Sequence, residues 1–158
     1  MKKIKIDVVA VPLSGHLYPT LNLVKPLLDD PSMEIRVFTG PQKKAVAESF
    51  GFTVVPILED KVEEFERAAN NDKKLNLFSA YRQLSKSLDL INHVSDQLLE
   101  EWRVNRPDIV IADFITLSAG FVAEEACPAL RQRIPEYLQF HVQCAPFPVR
   151  FQIGRAHV

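Results

Sequence analysis

Apolar positions along this chain switch repeatedly between the period of a strand and that of a helix. Ile4 to Val11 starts as an alternation and becomes continuously apolar, as a strand covered on both faces does. After a short loop carrying Ser14, Gly15 and His16, a helical pattern opens at Pro19 and puts Leu21, Leu23, Val24, Leu27 and Leu28 on one side. Pro26 inside that pattern is expected to interrupt it. Met33 to Thr39 reads as a second strand stopped by Gly40-Pro41, and a second helix follows from Gln42 to Phe50. Gly51 suits the left-handed position that closes a helix.

Thr53 to Ile57 reads as a third strand, Glu59 to Arg67 as an acidic helix, and Asn70-Asn71-Asp72 as a breaker. The longest element spans Leu75 to Trp102. Its residues Phe78, Tyr81, Leu84, Leu88, Ile91, Val94, Leu98 and Trp102 recur at three- and four-residue spacing, which predicts one buried face. Asn105-Arg106-Pro107 ends it. Ile109 to Ala112 is a short buried strand closed by Asp113, and a last helix covers Leu117 to Ala126. Strands alternating with helices predict an α/β fold, a parallel sheet with right-handed crossovers. Residues 1–126 form one domain on this reading. Beyond Ala126 the prolines at 128, 135, 146 and 148 leave no clear period, and 127–158 is expected to be an irregular tail.

Charge adds mainly exclusions. A net charge of −1, with Lys43, Lys44, Lys73, Lys74 and Lys86 scattered among acids, gives no electrostatic reason for a nucleic-acid or anionic-membrane partner. Cys127 and Cys144 stand outside metal-ligand spacing, which argues against a zinc site or a disulfide framework. Met1-Lys2-Lys3 runs straight into a strand, and no apolar stretch approaches the length of a membrane span. A cytoplasmic protein without a transmembrane segment is expected.

Two polar residues occupy equivalent places. His16 follows the first strand and Asp113 closes the strand at 109–112. If those strands are neighbours, both side chains project from one edge of the sheet, where open parallel sheets bind ligands. A carboxylate beside an imidazole selects its tautomer and stabilises the imidazolium, which makes the pair a general base suited to a hydroxyl. Taken singly, His16 reads as an ordinary loop histidine and Asp113 as a helix N-cap.

Pro12-Leu13-Ser14-Gly15-His16-Leu17-Tyr18-Pro19-Thr20 resembles the opening loop of the family-one UDP-glycosyltransferases of GT-B fold. Arg106-Pro107-Asp108-Ile109-Val110-Ile111-Ala112-Asp113-Phe114 is similar to the segment that ends in that family's dyad aspartate. The likeness covers residues 4 to 126. It implies a Rossmann-like, acceptor-binding amino-terminal half of a GT-B fold and an inverting hexosyl transfer to the hydroxyl of a small molecule. His16 would be the base and Asp113 its orienting partner. Phe78, Tyr81 and Phe114 would line the acceptor cleft, although ordinary core is the simpler reading of each. The resemblance implies no cofactor and no metal; the co-substrate is a UDP-sugar held by a carboxyl-terminal domain.

The tryptophan-led donor signature of that family is absent, for the single tryptophan, Trp102, belongs to the long helix. Gln152 to Val158 looks like the translation of a sequencing-adapter oligonucleotide. The expectation is therefore a truncated frame, inactive alone, in which His141 and His157 are poor site candidates. A non-catalytic Rossmann-like module binding a small molecule or a partner chain is the alternative. A dinucleotide enzyme is disfavoured, because the first turn carries one glycine, Gly15, where a pyrophosphate wants several.

Overall fold

The computed structural model describes residues 3–69, 77–116, 118–126, 140–144 and 147–151, with side chains for 3–69, 84–113, 115–116 and 118–126. Strands β1 (Ile4–Val9), β2 (Met33–Thr39), β3 (Thr53–Pro56) and β4 (Ile109–Ala112) form a parallel sheet in the order β3-β2-β1-β4. Helices α1 (Ser14–Val24), α2 (Lys44–Ser49), α3 (Val62–Ala69), α4 (Leu77–Val104) and α5 (Ser118–Ala126) connect and cover it. This is the expected α/β architecture.

Residues of β1 and the residue after it alternate between two cores. Ile6, Val8 and Ala10 pack with Leu17, Leu21 and Val24 of α1, Ala47 of α2, and Ile35 and Val37 of β2. Val9 packs on the other side with Phe38, with Leu90, Val94, Leu98 and Trp102 of α4, and with Ala119, Val122 and Ala123 of α5. Helices on both faces explain why the strands read as apolar runs rather than as alternations.

Local signals are honoured at several points. Gly51 has φ +95°, where a side chain would be strained. α1 stops at Val24, and the chain continues as a 3₁₀ turn, Lys25–Asp29, with Pro26 near its start.

Three expectations are corrected. First, α1 begins at Ser14 and not at Pro19. The N–H groups of His16 and Leu17 donate to the Leu13 carbonyl at 3.0 and 2.8 Å, and Pro19 sits inside the helix. Its fixed φ is helical, so it removes one donor without preventing the turn before it.

Second, the inner face of α4 runs through Leu90, Val94, Leu98 and Trp102, whereas Leu84, Leu88 and Ile91 are 59%, 50% and 39% exposed. Leu90 is buried between exposed Leu88 and Ile91, so the exposed residues lie on the side of α4 turned away from the sheet. Third, the 127–158 segment is not wholly irregular, since β5 (Phe140–Cys144) and β6 (Phe147–Phe151) pair antiparallel. The alternation of Phe140, Val142 and Cys144 opposite Phe151, Val149 and Phe147 is hidden by the prolines around it.

A buried charge network pins the sheet to α4. Asp7 lies opposite Arg36 in the β1–β2 register and is fully buried. Arg36 donates to Asp7 through Nε (2.9 Å) and Nη2 (2.6 Å), and through Nη1 to Glu101 of α4 (2.6 Å). Trp102 Nε1 donates to Asp7 Oδ2 at 2.8 Å, and its ring meets Phe38 edge-on. Burial pushes the Asp7 carboxyl up from the usual carboxylate range, and Arg36 and Trp102 pull against that rise.

Removing one partner of such a pair strands a buried charge. Arg36→Leu is expected to cost about 3–5 kcal/mol of stability at neutral pH. A folded-state value above the unfolded one means stability that is present in acid and lost as pH rises through the folded value. The gap between variant and native protein should therefore narrow as the pH is lowered toward about 4. Urea unfolding of both proteins across that range checks it; a gap that widens in acid contradicts it.

Candidate active site

β1 and β4 are neighbours, with Ile6 opposite Ile109, Val8 opposite Ile111 and Val9 opposite Ala112. Ties at both ends of the ladder hold this register. At the entry, Lys5 N–H donates to Asp108 Oδ2 (3.0 Å) and Asp108 N–H donates to the Lys5 carbonyl (2.8 Å). At the exit, Asp113 N–H donates to the Val9 carbonyl at 2.9 Å. The residues following the two strands therefore stand side by side.

His16 stands in the first turn of α1, where Thr20 Oγ1 donates to its carbonyl at 2.8 Å. Its Nδ1 lies 3.3 Å from Asp113 Oδ1 and 3.0 Å from Oδ2. The carboxylate side chain is 6% exposed and the imidazole 23%. An ionised carboxylate only accepts hydrogen bonds, so the facing nitrogen, Nδ1, carries the ring proton and the lone pair lies on Nε2. The structure thus brings His16 and Asp113 together. Lys43, in the turn after β2, adds a cation nearby by donating from Nζ to Ser14 Oγ at 3.0 Å. Gly40, before that turn, has no room for a Cβ, which would lie 2.5 Å from Gln42 Oε1 and 2.8 Å from Pro12 Cγ.

The aromatic candidates fare differently. Phe78 and Tyr81 fall on α4, and Phe114 opens the 3₁₀ turn Phe114–Thr116 directly after Asp113. The side chains of all three lie outside the described residues. A cavity of about 340 Å³ opens elsewhere, between Val55, Pro56 and Ile57 on one side and Gln97, Glu100 and Glu101 on the other. Neither His16 nor Asp113 lines it.

A second histidine–carboxylate contact escaped sequence reading. His93 Nε2 lies 2.8 Å from Asp60 Oδ1, joining α4 to the turn before α3. Its Asp60 side chain is 58% exposed, so the pair sits in water and not at a strand end. Thr116, three residues after Asp113, was also unmarked; its hydroxyl reaches the Val9 carbonyl at 3.0 Å.

No protein-family model matches the chain. It is similar to the NDP-glycosyltransferase YjiC of Bacillus subtilis (strain 168), with 29% identity over 128 residues that cover 79% of this chain. Two solved structures share its fold. They are the calicheamicin glycosyltransferase CalG4 (TM-score 0.63, 23% identity, 79% of this chain) and the glycosyltransferase VinC in complex with dTDP (TM-score 0.52, 18% identity, 78% of this chain). The chain spans 30% of YjiC, 30% of CalG4 and 32% of VinC. Its Rossmann-like α/β fold is thus that of part of the GT-B glycosyltransferases. No helix among the described residues is long and apolar enough to cross a membrane.

The exposed pair offers a control on local electrostatics. The hydrogen bond from His93 holds the Asp60 carboxyl below its usual range. A depressed folded-state value gives stability present above the unfolded value and lost as pH falls through the folded one. His93→Ala is expected to return Asp60 upward toward an ordinary aspartate, as read by NMR titration of its carboxyl carbon. An unmoved midpoint contradicts the contact.

Proposed function

We propose that this chain is the acceptor-binding, amino-terminal part of an inverting glycosyltransferase. The observation that carries the reading is the His16–Asp113 pair at the ends of two adjacent parallel strands. Similarity to an NDP-glycosyltransferase supports a nucleoside diphosphate sugar as donor, a UDP-sugar by the resemblance of the two motifs. The acceptor class is a small molecule bearing a hydroxyl. Phe78, Tyr81 and Phe114 are the aromatic residues proposed to line its cleft.

His16 Nε2 takes the proton of the acceptor hydroxyl as that oxygen attacks the anomeric carbon. The bond from that carbon to the diphosphate oxygen breaks, the nucleoside diphosphate leaves with the electron pair, and a single displacement inverts the centre. Asp113 holds Nδ1–H throughout and stabilises the imidazolium that forms. Positioning two substrates against one base supplies much of the remaining rate. Donor binding belongs, on this reading, to sequence beyond these 158 residues.

Joined to a carboxyl-terminal donor domain, His16→Ala is expected to lower turnover by about 10²- to 10⁴-fold while thermal unfolding stays close to native. Undiminished transfer would refute the role. The 158-residue chain alone is expected to release no nucleoside diphosphate from UDP- or dTDP-sugars mixed with hydroxyl acceptors, and measurable release would overturn its assignment as an acceptor half.

A further inference from the structure

Thr116 carries a buried hydroxyl that the proton transfer above does not use. The residue is 7% exposed, and its Oγ1 lies 3.0 Å from the Val9 carbonyl oxygen and 2.8 Å from the Asp113 carbonyl oxygen. Each carbonyl already has a backbone donor: Asp113 N–H on Val9 (2.9 Å) and Thr116 N–H on Asp113 (2.8 Å). The hydroxyl is therefore not required to rescue an orphaned acceptor, the usual reason for burying one. What it adds is a link. Its one proton is shared between the last residue of β1 and the residue that bears the carboxylate.

We propose that Thr116 is a positioning residue for the His16–Asp113 pair. It clamps the 114–116 turn to the end of β1 and so keeps the Asp113 carboxylate at Nδ1. β4 has only four residues, and the Nδ1–carboxylate distances of 3.0 and 3.3 Å leave little slack before the contact is lost. A shift of about 1 Å in such a support is enough to disable a site. Without the clamp, the imidazole loses its preference for the tautomer with the lone pair on Nε2. The inference rests on the reading of this pair as base and orienting partner.

The test is made on the 158-residue chain, labelled with ¹⁵N, at alkaline pH where imidazoles are neutral. Two-bond ¹H–¹⁵N correlation of the His16 ring reports which nitrogen holds the proton. The native chain is expected to show it on Nδ1. Thr116→Val, which keeps the volume and strands no carbonyl, is expected to move the ring toward a mixture of tautomers while thermal unfolding is preserved; Thr116→Ser is expected to restore Nδ1–H. A native His16 pattern in the valine variant overturns the proposal. If that variant fails to fold, Thr116→Cys keeps the size with a far weaker donor, and an unaltered tautomer there counts equally against the role. Asp113→Ala separates the two claims. If it leaves the ring unchanged, the pair itself is wrong; if it shifts the ring and the Thr116 variants do not, only the clamp is wrong.

Discussion

The parallel pairing of β1 with β4 is the constraint on which the rim depends. These strands lie about a hundred residues apart in sequence, and everything between them is crossover. Parallel neighbours cannot be joined by a tight turn, so the connection between them carries two further strands and the intervening helices. Reciprocal bonds between Lys5 and Asp108 at one end, and the Val9 carbonyl at the other, then hold the register. A slip of one residue would turn Ile111 away from the core it packs against and carry Asp113 away from His16.

Beneath that ladder the chain tolerates one costly feature. Asp7 is a buried carboxyl in the middle of an apolar strand, and it is accepted because a guanidinium and an indole N–H meet it from two different elements. The same contacts fix where α4 lies across the sheet, since Trp102 and Glu101 are on that helix. Buried networks of this kind gain little net energy but penalise every arrangement that leaves a member unpaired. Here the network ties β1, β2 and α4 together on the face where α4 and α5 pack.

The rim is built on regular structure rather than on flexible connections. His16 rides the first turn of a helix whose inner residues Leu17, Leu21 and Val24 are buried, and Asp113 follows directly on a strand. Elements of that kind hold a pair of side chains more closely than two loops can. The more buried partner is the carboxylate and the more exposed is the imidazole. That division suits an orienting group and a group that exchanges protons.

Much of this was legible in the residues themselves. The strand at 33–39, the strand at 109–112, the break at Pro26 and the left-handed Gly51 follow from short-range apolar period and from the backbone limits of proline and glycine. His16 and Asp113 could be named because a polar residue at the end of an apolar strand needs no partner to be noticed. The start of α1 at Ser14, the outward turn of Leu84, Leu88 and Ile91, and the Asp7–Arg36–Trp102 contact could not. Each depends on which surface lies opposite, and period alone does not name the opposite surface. The sequence by itself determined the kinds of elements and the two rim residues, because steric preference and hydrophobic spacing act within a few positions. Tertiary structure alone decided that β4 lies beside β1, which side of α4 faces the sheet, and that Nδ1 of His16 meets the Asp113 carboxylate. Those are contacts between distant residues, and only the closed sheet supplies them.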